Sequence, residues 1–211
     1  MADTLLDVKA LVADDTKRED LATQIATEIQ SAIKRWQSER FYFNELRTIT
    51  FNTVAAQEFY TSTDNPYIPN LLDIDSIITT ASGSTYTLTP RSYAWMEDIF
   101  STASITGQPT DYAYYGQQIR LYPTPDAVYP CRISSLVRLA DLSGNTDSNA
   151  WTKAADARDL IRFDAGRRIC MLVRDYDLAN TLMALRDESL VRLRGETERR
   201  LGAGRAEPSQ W

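Results

Sequence analysis

The segment PTDYAYYGQQIRLYPTPD, residues 109–126, decides how this chain is read. Tyr112 and Tyr114 alternate before Gly116, and Ile119 and Leu121 alternate after it, which is the two-residue period of strands. Glycine accepts the positive φ that a tight hairpin demands, so Gly116 and Gln117 are read as the turn between two antiparallel strands. PTPD then stops the second strand. Four tyrosines and three prolines beside only three charged side chains make this packing and contact material rather than reactive chemistry.

The same β character extends on both sides. RTITFNTV (47–54) places Ile49 and Phe51 on one face, and QEFYTS (57–62), DSIITT (75–80), STYTLTP (84–90) and CRISSLVRL (131–139) follow the pattern. A short helix, SYAWMEDIF (92–100), interrupts the series after Pro90. Glycine and proline punctuation throughout predicts a small antiparallel β-sandwich or partial barrel.

Beyond the centre the period becomes helical. Leu21, Ile25, Ile29, Ile33 and Trp36 recur at helical spacing, and Thr16 with Glu19 fits a capping box, predicting a helix over 17–40. A shorter helix precedes it from Thr4 to Leu11, started by Asp3 or Thr4. On the C-terminal side Asp156 is expected to cap a helix burying Leu160, Ile161, Ile169, Leu172 and Val173. Asp177 is expected to cap another, carrying Leu178, Leu182, Leu185 and Val191 and continuing through RLRGETERRL (192–201). GAGRAEPSQW (202–211) cannot continue it. The predicted fold is α+β: N- and C-terminal helices form a helical body around the central β region, with an extended C-terminal arm. The divisions are 1–44, 45–150, 151–201 and 202–211, with the β region and the helices packed as one compact unit.

Composition narrows the chemistry. With 211 residues, 43% apolar and 25% charged, the chain reads as soluble and globular, with no membrane span and no secretory leader. Histidine is absent, which removes Ser-His-Asp, Cys-His and ordinary zinc chemistry together. Cys131 and Cys170 read as core thiols rather than a disulfide. No phosphate-cradling glycine loop occurs. Asp147, within GNTDSN, lacks the spaced ligands of a calcium loop and reads as a polar turn. Glu97 and Asp98 could serve a carboxylate-based glycan hydrolase, but neighbours on a helix diverge and cannot face one another across a sugar. No cofactor or metal is expected.

Net charge is −6, a poor footing for generic nucleic-acid affinity. Residues 41–150 carry −6 and residues 151–211 carry +2, and 19 of the 23 basic residues are arginine. The arginines of the closing helices, Arg192, Arg194, Arg199 and Arg200 among them, read either as a solvated face or as contacts to an acidic neighbouring copy. Tyr115 and Tyr122 read likewise, as sheet-face residues or as contacts to a protein neighbour. Stacking on single-stranded nucleic acid would need a basic groove, which Arg120 and Arg132 hardly make. Trp211 is either the end of a disordered tail or the anchor of an arm that orders on a partner.

The order of these features resembles the head-to-tail adaptor (connector) proteins of tailed bacteriophages. The resemblance rests on the helix ending in WQSERFYFNE (36–45) and the strand RTITFNT. It continues through TGQPTDYAYYGQQIRLYPTPD (106–126), CRISSLVRL and the helical entry DSNAWTKAADARDLIRFDAG (147–166). It implies a non-enzymatic virion protein: a ring of copies, typically twelve, beneath the portal vertex, handing on to tail or nozzle proteins. DNA would pass through its channel without specific binding. Residues 202–211 would be the portal-binding arm, with Arg205, Pro208 and Trp211 as contacts, and the tyrosine-rich hairpin would meet neighbour or tail. The remaining alternative in the virion is a stopper or tail-tube component on the tail side of the neck.

Overall fold

The computed structural model describes residues 4–102 and 105–202. The chain divides into a helical unit, formed by the segment up to Asn44 and the segment from Leu139 onward, and a β-rich unit, Glu45–Arg138. Residues 139–149 belong with the helices, where Leu142 is buried in the helical core.

The helical unit begins with α1 (Leu5–Thr16) and α2 (Ala22–Trp36), and is completed by α4 (Ala150–Lys153), α5 (Ala155–Leu172) and α6 (Tyr176–Leu201). α1 starts where Thr4 and Asp7 form a capping box: the Asp7 backbone N–H reaches Thr4 Oγ1, and Thr4 N–H donates to Asp7 Oδ2 at 2.8 Å. The hydrogen bonds from Thr4 hold the Asp7 carboxyl below its ordinary pKa. The box expected at Thr16 and Glu19 does not form. Thr16 is the last residue of α1, and its hydroxyl donates to Val12 O at 2.8 Å inside its own helix. The chain reverses at Lys17 in the left-handed region, φ 53°, and only a 3-10 turn, Glu19–Leu21, precedes α2.

Two further caps shift for the same kind of reason. Asp156 lies in the first turn of α5, whose cap position is Ala154, because the side-chain cap is made one element earlier by Asn149 of α4. α6 is capped by Asp175, which accepts from Leu178 N–H at 3.1 Å, and Asp177 lies inside the first turn. The spacing seen in sequence buries most of one face: Ile25, Ile29 and Ile33 of α2 meet Leu160, Ile161 and Ile169 of α5, with Val8 and Val12 of α1, whereas Leu172, expected with them, is 62% exposed at the end of α5 and Val173 is half-buried at its cap. Trp151 sits at the centre of this core, 5.7 Å from the Phe41 ring and 5.0 Å from Phe43, both edge-on. α5 packs along α6 and also carries α1 and α2.

The β-rich unit holds two four-stranded sheets and a two-stranded ribbon, with no closed barrel among the described residues. The first sheet runs β1–β10–β3–β4, from β1 (Glu45–Asn52), β10 (Pro130–Val137), β3 (Leu71–Ala81) and β4 (Ser84–Thr87). The second runs β2–β8–β7–β5, from β2 (Phe59–Tyr60), β8 (Gln118–Tyr122), β7 (Asp111–Tyr115) and β5 (Thr89–Pro90). β6 (Thr106–Gly107) and β9 (Thr124–Pro125) form the ribbon. Pairing is antiparallel except for the two-residue pairs β5–β7 and β6–β9. The hairpin of residues 109–126 forms in register, Tyr112 opposite Leu121 and Tyr115 opposite Gln118. Gly116 (φ 61°) and Gln117 (φ 64°) both adopt left-handed backbone, the geometry of a two-residue turn that matches strand twist. Phe51 of the first sheet meets Tyr60 of the second at 5.0 Å, where both rings are buried.

Both cysteines are buried and free. Burial pushes the Cys131 thiol up to about 11.

Candidate functional site

α3 (Tyr93–Thr102) lies on the β7–β8 hairpin and creates the most elaborate cluster of the β-rich unit. At its centre is Arg120 of β8, only 7% exposed, whose guanidinium binds Glu58 through Nε and Glu97 through Nη1. The same group lies 4.2 Å from the Phe100 ring centroid and 5.1 Å from that of Phe59. A cation bonded to two carboxylates and lying against aromatic rings is a staple, since it ties β8 to Glu58 and to α3 at once. Glu97 also accepts from the Tyr93 hydroxyl, which raises that phenol's pKa. Glu97 is therefore committed to Arg120 and Tyr93, and Asp98 is exposed on the next helical position. That pair does not converge on a common point.

Arg120→Ala is expected to cost about 2 kcal/mol, chiefly through lost packing, because both carboxylates can turn to water. Glu97→Gln, which changes a carboxylate that is itself 56% exposed, should cost under about 1 kcal/mol. Urea titrations of the two variants, compared with the parent, measure the difference.

The tyrosines singled out by sequence divide. Tyr115 is 64% exposed beside the turn, its ring 4.9 Å from Tyr93. Tyr122 is packed within the chain, edge-on to Trp95 at 5.7 Å and to Phe100 at 5.3 Å. Arg91 reaches over Trp95 at 4.8 Å and binds Asp111 at 2.6 Å. The outcome is one belt of rings and guanidiniums, with Tyr115 at its open end.

The arginines of the closing helices are largely ion-paired within the helical unit, Arg162, Arg167 and Arg186 half-buried and Arg192, Arg194 and Arg200 at the surface, a feature their spacing did not reveal. Arg162 makes a two-pronged contact with Asp15 of α1, at 2.6 Å through both Nε and Nη2. Asp164, 0% exposed, accepts from Arg35 Nη1 and from Trp36 Nε1 at 3.0 Å, while Arg167 and Arg186 approach its other oxygen to 3.8 Å. Arg192 binds Asp156 and Glu188, Arg194 binds Glu39, and Arg200 binds Glu196 while lying 4.1 Å over the Tyr42 ring. Arg199 is exposed. Partners far away in sequence, such as Asp15 for Arg162, are invisible to periodicity; only the charge excess hinted at them.

Asp147 shapes its own loop. Oδ2 accepts from the Ser143 and Gly144 N–H groups at 2.8 and 2.7 Å, and these bonds lower its pKa. Among the described residues no group of three acidic or cysteine side chains could hold a metal ion, and no helix is long and apolar enough to cross a membrane. Arg205, Pro208 and Trp211 lie outside the described residues.

Comparison with curated proteins finds no match. The model of one family, the SU10 adaptor protein, matches residues 3–208. That span takes in both units described above, helices and sheets in a single match, and so the chain belongs to the SU10 adaptor protein family, a phage head-to-tail adaptor as its sequence pattern suggested.

Proposed function

We propose that copies of this chain form a ring beneath the portal, typically twelve of them, linking the DNA-filled capsid to the tail and continuing the DNA channel. The observation that carries the reading is the family match across residues 3–208. The side chains agree with it. The titratable clusters, Arg120 with Glu58 and Glu97 and Asp164 with its arginines, are consumed in holding each unit together rather than aimed at a substrate.

Portal binding is assigned to Arg205, Pro208 and Trp211. Contacts to neighbours or to the tail or nozzle protein are assigned to Tyr115 and Arg199, with Tyr122, Arg192, Arg194 and Arg200 behind them as rim and support. Net charge of −6 suits a conduit, because like charge keeps phosphates from settling on its wall. The chain acts in the neck of the virion and is assembled in the host cytoplasm. A mainly β tail-tube role is disfavoured by the five helices among the described residues of the helical unit.

The test is electron microscopy of the purified chain mixed with its cognate portal protein. A new ring of density below the portal is expected. Portal particles left unchanged at saturating adaptor concentration would overturn the reading.

A further inference from the structure

The first sheet ends on β1 at one side and on β4 at the other, and the two edges differ. An edge strand carries unpaired N–H and C=O groups, which proteins blunt with bulges, prolines, charges or a covering loop. β1 has a bulge between Leu46 and Ile49, and Asn65 Nδ2 donates to Thr50 O at 2.8 Å. In the second sheet Gln57 Nε2 donates to Phe59 O of β2 at 2.8 Å, and β5 ends in Pro90. β4 has none of these devices: Ser84, Thr85, Tyr86 and Thr87 include no charge and no proline, and all four are exposed.

The turn fixes which of its backbone groups are open. Ser82 (φ 50°) and Gly83 (φ 77°) form the two-residue turn that pairs Ala81 with Ser84. Antiparallel pairs alternate between bonded and non-bonded, and the bond from Leu88 N–H to Ile77 O at 2.8 Å sets the phase. Ser84, Tyr86 and Leu88 therefore bond to β3, while Thr85 and Thr87 direct their N–H and C=O away from the sheet. Among the described residues no hydrogen bond reaches those four outward groups.

The side chains specify what an incoming strand must carry. Tyr86 ends the cross-strand row Phe51–Cys131–Thr79–Tyr86, in which the first three are buried and Tyr86 is 46% exposed. The neighbouring row, Ile49–Ile133–Ile77–Leu88, is buried to its end. A large apolar side chain opposite Tyr86 would extend the open row. On the other face Thr85 lines a hollow of about 250 Å3 with Thr50, Asn52 and Thr80, which suits small polar residues on either side of that apolar one.

β4 itself meets this description. A twofold axis at Tyr86 sets Thr85 of one copy against Thr87 of the other, so that the four outward donors meet four acceptors. The two Tyr86 rings then face each other in the closer, non-bonded pair, and no like charges are opposed. We infer that β4 pairs antiparallel with β4 of a second copy of this chain, joining the two first sheets edge to edge. A twofold contact closes on two copies, so it belongs to the chain outside any ring and does not rest on the ring proposed above.

The experiment uses the full chain in solution. Sedimentation equilibrium is expected to show monomers exchanging with dimers, and a chain that stays monomeric up to about 1 mM would overturn the contact. Thr87→Pro removes an outward N–H and no bond to β3, so the melting temperature should hold. Self-association should weaken at least about tenfold, because one hydrogen bond is lost on each side of the axis. Dimers that this variant leaves intact would place the interface elsewhere and overturn the pairing. Tyr86→Cys tests it separately: facing residues of a non-bonded pair lie about 4.5 Å apart at Cα, within disulfide reach, and both natural thiols are buried. Oxidation should give a covalent dimer from this single variant, and its absence would overturn the twofold at Tyr86. Amide exchange at Thr85 and Thr87 that slows only when portal or tail protein is added would give the edge to a different chain and refute self-pairing.

Discussion

Asp164→Ala is expected to destabilise the helical unit by about 3 kcal/mol. The carboxylate is fully buried, and it is the anion toward which Arg35, Arg167 and Arg186 converge. Its removal leaves three like charges facing one another and strips Trp36 Nε1 of its acceptor. Breaking a buried ion pair from one side costs about 3–5 kcal/mol, and the lower end applies because all three guanidiniums keep some access to water. Asp164→Asn, which preserves shape and one acceptor, should fall between the variant and the parent. Urea denaturation followed by far-ultraviolet circular dichroism, with hydrogen exchange on α2 and α5, measures it. A loss below about 1 kcal/mol would mean that the arginines are held by other partners and that Asp164 is not their organising charge.

The second large effect is on binding and leaves stability alone. Deleting residues 203–211 is expected to weaken the proposed portal contact at least about 30-fold, the equivalent of about 2 kcal/mol, as befits losing a tryptophan anchor together with an arginine. The cut spares the end of α6: Gly202 (φ 76°) supplies the left-handed cap and donates its N–H to Glu198 O. The melting temperature should therefore stay within about 1 °C of the parent, in line with the small effect of changes away from core and caps. Binding to immobilised portal and a thermal scan, run on the same sample, separate the two quantities. Unchanged affinity would remove Arg205, Pro208 and Trp211 from the portal site, and a large drop in melting temperature would make the segment part of the fold.

Period is a local property, and what depends on it was legible. Ile25, Ile29 and Ile33 at four-residue steps could bury only as a helix face, and they do. The alternation around Gly116 could pair only as a hairpin, because a tight turn needs the positive φ found there. Capping was less legible, since it depends on which of several nearby acceptors the chain direction selects. Thr16 is a good cap by type, yet it spends its hydroxyl on Val12, and Asp175 rather than Asp177 meets the first free N–H groups of α6. Tyr122 and Tyr115 look alike in sequence, and it is α3 folding over the hairpin that buries the edges of one and leaves the other open.

The sequence by itself determined the α+β class, the order of helices and strands, and the absence of histidine-based chemistry, all from residue type and spacing. Tertiary structure alone decided what the charges do. An arginine's partner is set by distances across the fold, as in Arg162 with Asp15 or Arg35 with Asp164, and Coulomb energy at a few ångströms does not depend on how far apart two residues lie along the chain.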